Sequence, residues 1–184
     1  MNGGPSCYAD STARTCCSLS GPQDALRKET EVSLNGNGGT ALTQSERNLG
    51  HRWFELVWNQ GRRDAIAQLL APDALLHDGS VDSCGPEAFY PLFDRLSATF
   101  SKIHVDVHDA LAEGGKVCVR WTFTGTHTGD GLGVAPTGVT VNVTGICILR
   151  VAGDRIVEGW QNWDMMGMRE QITGVARSLA TYIG

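Results

Sequence analysis

The sequence predicts an α+β fold in which helices cover the concave face of a curved, antiparallel or mixed sheet. Apolar residues recur at helical spacing in the first half of the chain, whereas apolar and polar residues alternate through most of the second half. Glycine-rich turns separate the alternating segments, as neighbouring strands of a meander require.

Residues 1–42 are rich in Gly, Ser, Thr and Asn and show no sustained period, so they read as a disordered leader. The folded domain is expected over 43–175, followed by a short tail at 176–184. Thr43 to Glu46 has the form of a capping box, Thr-x-x-Glu, and opens a helix to about Trp58. Its apolar stripe is Leu49, Trp53, Phe54 and Val57, and Gly61 ends it. A second helix, Asp64 to Leu70, stops at Pro72. Ala74 to His77 is a short strand, and Cys84 sits in a turn-rich stretch. Gly85-Pro86 opens a third helix, to Phe100, with Phe89, Leu92, Phe93 and Leu96 on its apolar face and Tyr90 at the edge.

Strands follow at Ile103 to Ala112, Val117 to Thr124, Val139 to Val151, and from Arg155 onward. Tight turns at Glu113-Gly114-Gly115-Lys116 and around Gly153-Asp154 join two of the pairs. A glycine-rich loop spans 127–138. It is not a phosphate cradle, because no GK[ST] follows and it leads into a strand.

Composition bounds the function. Hydrophobic residues make up 41% and charged residues 19%, which suits one globular domain with its own core. The net charge of -5 argues against general binding to nucleic acid or anionic membrane. No apolar run is long enough to span a bilayer and the N-terminus lacks signal-peptide order, so cytoplasmic residence is expected. The six cysteines have no zinc-type spacing, and Cys118 and Cys147 read as small core residues. His104, Asp106 and His108 share a strand face, but a flat face seldom closes a metal's coordination sphere, and no metal is expected.

The last strand carries the candidate chemistry. Trp160, Asn162 and Asp164 fall on one face by period two, and Met165 and Met166 follow. A carboxylate among indoles and thioethers is poorly solvated, and its pKa rises from about 3.9 toward the range useful for proton transfer. Asp164 reads equally well as the cap of the next helix. If Val151 pairs with Ile156, Cys147 faces Trp160, Gly145 faces Asn162 and Val143 faces Asp164. Those residues form an apolar wall with a gap at Gly145, suited to a flat ligand. The opposite face, with Ile146, Ile148, Val157 and Trp163, reads as a homodimer interface. His77 is either a pocket residue or a solvated strand end, and His127 is either a loop hydrogen-bonder or a catalyst.

The segments WNQGRRDAIAQLLAPDALLHD, RWTFTGTHTGDGLGVAPTG and VTGICILRVAGDRIVEGW, with Asp164 to Gln171, resemble the SnoaL-like polyketide cyclases, or ester cyclase-like proteins. These belong to the NTF2-like superfamily of cone-shaped α+β barrels. The resemblance runs from about Leu49 to Ile172. It implies a general acid/base at Asp164, histidines at His77 and His127, and intramolecular aldol closure on an apolar carbonyl compound without a cofactor. Trp53, Tyr90, Trp121, Phe123, His127, Trp160 and Asn162 are the expected substrate-binding residues, and His77 or Asn162 is expected to hold the enolate oxygen. The sequence departs from the family at Cys147, where an acidic residue is common, and at Arg150, near which some cyclases use a histidine. Alternative readings are a non-catalytic binding or assembly module, and an epoxide hydrolase-like set of Arg120 with Asp164. Arg120 lies on the polar face opposite Trp121 and is expected to point away from the cavity.

Overall fold

The computed structural model describes residues 39–78 and 81–174. Most of the expected leader, and the tail from 175 on, lie outside the described residues. Helix α1 spans Gly39–Arg52 and continues as a π-helical segment, Trp53–Asn59. It therefore begins before Thr43, which falls inside the helix and not at a cap. The chain then runs through α2 (Arg63–Leu69), β1 (Leu70–Asp78), β2 (Val81–Cys84) and α3 (Gly85–Thr99). The remaining elements are β3 (Phe100–Glu113), β4 (Lys116–His127), β5 (Thr140–Ala152), β6 (Arg155–Trp163) and α4 (Met165–Thr173).

The six strands form one curved sheet in the order β2-β1-β6-β5-β4-β3. All neighbours are antiparallel except β1 and β6, which run parallel. Strand β4 alternates buried Val117, Val119, Trp121 and Phe123 with outward residues, and β5 does the same with Val141, Val143, Cys147 and Leu149. The apolar faces of α1, the π segment and α3 close over this inner wall. Leu49, Trp53, Phe54, Val57, Phe93 and Leu96 are all at most 6% exposed. Burying side chains of this size contributes about 1.5–3 kcal/mol each.

Local chemistry fixes how the helices meet the sheet. Asn59, at the end of the π segment, donates to the Val105 carbonyl at 3.1 Å and accepts from the Val105 N–H at 2.7 Å. One side chain thus satisfies a backbone pair that the sheet leaves open between two bulges of β3. Gly85 begins α3 with φ +73, and a β-carbon there would stand 2.4 Å from the Pro72 carbonyl oxygen. Only glycine lets α3 start this close to β1. Arg155 ties the start of β6 to α2 through the carbonyls of Ala67 and Leu70, at 3.0 and 2.9 Å. Pro72 does not end the chain's regular structure: it lies within β1, which is longer than the expected Ala74 to His77. The short strand β2 occupies the stretch read as turns.

Candidate active site

The β5–β6 hairpin decides which side chains reach the interior. Val151 pairs with Ile156 as expected, but Arg150 then pairs with Glu158, so Val157 is an extra residue, a β-bulge. Beyond it every expected partner is displaced by one. Leu149 faces Gly159, Cys147 faces Gln161 and Gly145 faces Trp163. Because directly opposed residues share a face, Gly159, Gln161 and Trp163 point inward with Cys147 and Leu149. Trp160 and Asn162 belong to the outer face, beside Ile148 and Ile146. This corrects the expected pairing of Cys147 with Trp160 and of Gly145 with Asn162. It also removes Trp163 from the expected outer interface.

A cavity of about 270 Å³ lies between α3 and the inner wall of β1, β5 and β6. Trp53, Leu76, Phe89, Leu92, Cys147 and Leu149 give it an apolar lining. Asp78, Ser83, Arg95 and Gln161 add polar groups, and His77 and Trp160 stand at its edge. The register puts His77 beside Trp160 and Asp78 beside Gln161, across the parallel β1–β6 ladder.

His77 is the most elaborately held ionisable group on this cavity. Its Nδ1 lies 2.7 Å from Asp82 Oδ1 and its Nε2 3.1 Å from Glu158 Oε1. Its ring stacks on the Trp160 indole, with centroids 5.3 Å apart and planes 16° apart. Hydrogen bonds to Asp82 first and Glu158 second raise its pKa above the ordinary value, outweighing partial burial. Burial acts to raise the Glu158 pKa, but hydrogen bonds from Arg150 and His77 outweigh it and bring the carboxyl below its usual range. Arg150 Nε donates to Glu158 Oε2 at 2.8 Å. Asp82, His77, Glu158 and Arg150 thus form one charged chain across β2, β1, β6 and β5. A thiol also lines the wall, but burial, aided by the neighbouring Cys118, pushes the Cys147 pKa up to about 12. It stays protonated and unreactive near neutral pH.

A second, smaller chamber of about 30 Å³ adjoins the first, and Leu92 and Gln161 line both. Phe54, Trp58, Leu96, Val105, Trp121, Phe123 and Trp163 complete its walls.

The other expected site residues fall elsewhere. Asp164 is exposed and is not among the residues lining either chamber. Its carboxylate accepts the Gly167 N–H at 2.8 Å and caps α4, so the expected poorly solvated acid is not found at this position. Asn162 is exposed on the outer face. Tyr90 lies outside the cavity lining with the Arg63 guanidinium 3.8 Å over its ring. His127 is fully buried, and its Nδ1 meets the Thr137 hydroxyl at 3.0 Å and accepts the Thr137 N–H at 3.3 Å, which pins the loop after β4. Trp121 and Phe123 line the inner chamber, and Trp53 and Trp160 line the outer one. Arg120 points outward to Asp109, with Nε 2.6 Å from its carboxylate, which leaves no epoxide hydrolase-like pair with Asp164. His104 meets Asp106 at 3.2 Å while His108 meets Thr122 at 2.7 Å. Among the described residues no three His, Cys, Asp or Glu side chains are grouped to hold a metal ion.

Sequence reasoning missed Asp78, Ser83, Arg95, Gln161 and the two carboxylates around His77. Asp78 follows His77 directly and was legible as a polar strand end. Glu158 precedes Trp160 by two, a same-face spacing that pointed to the partner of His77.

A family model described as SnoaL-like polyketide cyclase matches residues 49–172, more than half of the chain. No curated protein matches the chain in sequence. Among solved structures, a proposed SnoaL-like polyketide cyclase from Jannaschia sp. CCS1 superposes with a TM-score of 0.68 at 22% identity, covering 77% of this chain and 100% of that one. IdmH from Streptomyces antibioticus, a proposed polyketide cyclase, gives 0.61 at 27% identity over 68% of this chain and 96% of its own. AclR from Streptomyces galilaeus, a proposed hydroxylase, gives 0.67 at 22% identity over 73% and 99%. The shared architecture is the NTF2-like α+β barrel that the resemblance implies.

Proposed function

The chain belongs to the SnoaL-like polyketide cyclase family, and we propose that it is a cofactor-free acid/base catalyst acting on an apolar carbonyl compound. The reaction is an intramolecular aldol closure or a related isomerisation. The observation that carries this reading is that an imidazole whose pKa is raised, His77, and an exposed carboxylate, Asp78, both line one largely apolar cavity. The base expected at Asp164 is assigned instead to Asp78, which is exposed as Asp164 is but stands among the cavity-lining residues. Asp78 takes a proton from the carbon next to a carbonyl, and the C–H electron pair moves into the enolate. The enolate carbon attacks a second carbonyl of the same molecule, forming the C–C bond. The new alkoxide takes its proton from the His77 imidazolium, and Asp78 returns its own proton to the imidazole through solvent.

A binding role without turnover is the second reading. It is favoured by the two carboxylates that already occupy both nitrogens of His77.

Exchange of the α-protons of 2-tetralone in D2O, followed by NMR, separates the two. The parent protein should accelerate exchange above buffer. Asp78→Asn and His77→Gln should each slow it by about two to four orders of magnitude, while Asp164→Asn keeps the parent rate. A parent no faster than buffer, or an Asp78→Asn variant as fast as the parent, would end the catalytic claim.

A further inference from the structure

Trp121, Gly145 and Trp163 stand side by side on β4, β5 and β6, in direct register. The Trp121 ring covers the gap left by Gly145, and its centroid stands 6.5 Å from that of Trp163. Both indole Nε1–H groups are buried, and neither has an oxygen or nitrogen partner. The Trp121 N–H meets only the Cys147 thiol, a weak acceptor. Trp121 itself is 5% exposed. A buried donor with no partner, or with only a thiol, costs free energy, and two such donors on residues lining one chamber is an arrangement that folding alone does not favour.

The chamber they line holds about 30 Å³, room for a single oxygen-sized group. Its remaining walls are aromatic or aliphatic, apart from Gln161, which faces the larger cavity as well. Indole N–H can donate but not accept. The pair therefore selects an oxygen that accepts without needing to donate.

We propose that Trp121 and Trp163 form a donor pair that binds the carbonyl or enolate oxygen of the ligand in the inner chamber, while its carbocyclic body fills the outer cavity. This deepens the proposed function and rests on its claim that the cavity takes an apolar carbonyl compound. It names the binding determinant as two neutral donors. An alcohol, whose own hydrogen finds no acceptor on the indoles, binds less well than a ketone. Burial away from water strengthens both hydrogen bonds as negative charge builds on the oxygen.

The test uses 2-tetralone and its hydrocarbon counterpart, tetralin, with the full chain labelled at the indole nitrogens of its five tryptophans. Trp121→Phe and Trp163→Phe assign two of the five indole resonances. The ketone should bind about tenfold tighter than tetralin and should shift those two resonances downfield. Each Phe variant should lower the preference for ketone over hydrocarbon about three- to fivefold, with tetralin affinity unchanged. Trp163 is less buried than Trp121, so Trp163→Phe and the parent shifts carry the test if Trp121→Phe does not fold. A ketone that fails to bind, that binds no tighter than tetralin, or that shifts only the other three resonances overturns the proposal. Binding with these shifts but no α-proton exchange would sink the catalytic reading alone. Exchange without the shifts would sink the donor pair alone.

Discussion

Replacing Gly145 by alanine tests the packing of the inner wall. A β-carbon at this position would stand 2.2, 2.5 and 2.6 Å from Cζ2, Cη2 and Cε2 of Trp121. All three atoms belong to the six-membered ring of the indole, so no rotation of a flexible tip relieves the contact. Restoring an ordinary separation requires the ring to retreat by about 1.2 Å. Phe54 stands behind it at 5.7 Å and Trp163 beside it at 6.5 Å, centroid to centroid. Overpacking of this kind costs about 2–3 kcal/mol, which lowers the melting temperature by about 5–10 °C for a chain of this length. Gly159→Ala is the matched control on the neighbouring strand. Its β-carbon would meet Leu149 and Leu76 at an ordinary 3.5 Å, and its backbone needs no positive φ. That variant should melt within about 2 °C of the parent or slightly above it, through the reduced freedom of the unfolded chain. Trp121→Phe removes the offending ring and should restore part of the loss in the double variant, a coupling that a thermal-melt cycle reads directly. If Gly145→Ala and Gly159→Ala melt alike, the argument from Trp121 fails.

Three further outcomes are expected. Asp164→Ala should lower stability by about 1 kcal/mol through loss of the α4 cap, whereas Asp164→Asn should leave both stability and ketone exchange unchanged; a specific loss of exchange in the Asn variant would return catalysis to this residue. His77 has a raised folded pKa, so its stabilising contribution is complete below its unfolded value of 6.5 and fades as pH rises through the higher folded one. With Asp82 75% exposed the effect is screened to about 1 kcal/mol; thermal melts from pH 6 upward should fall in the parent and stay flatter in His77→Gln, and equal slopes would refute it. Glu158 has the opposite sign: its contribution is present above 4.5 and is lost as acid takes the pH down through its lowered folded value. Finally, Ile146 and Ile148 are 49% and 40% exposed on the outer face of β5, and we propose that they bury in a homodimer. Light scattering at micromolar concentration should give twice the chain mass, and Ile148→Glu should give the chain mass; a monomeric parent at every concentration rules this out.

Most of the fold is readable from the chain, because alternation and helical spacing are themselves the record of which faces are buried. The turn at Gly114 and Gly115, where both φ angles are positive at 56 and 75, is a case where residue type dictates conformation. The short strand β2 escaped, because Val-Asp-Ser-Cys carries too little alternation to register and is held by pairing with β1. The site was legible only in part. Trp53 and Trp121 could be picked out by residue type and spacing, and His77 by the resemblance to the family. Asp164 could not be decided, since a carboxylate before a helix looks the same whether it caps or catalyses. The bulge at Val157 has no local signature, and one unpaired residue there exchanged the inward set for the outward one. Asp78 and Arg95 reach the cavity through pairing and packing between elements distant in sequence, information that no local pattern holds.

That bulge gives β6 a property with evolutionary reach. The strand carries two complete walls on alternate positions, one with Gly159, Gln161 and Trp163, the other with Trp160 and Asn162. Loss of the single residue Val157 would close the bulge and leave Arg150 opposite Glu158, so Gly159, Gln161 and Trp163 would still face the interior. Every residue before Ile156 and every contact of α2 with Arg155 would keep its place. A lineage can therefore lose a residue from this hairpin without changing what its barrel encloses. Two relatives that differ by one codon at the bulge can present the same interior.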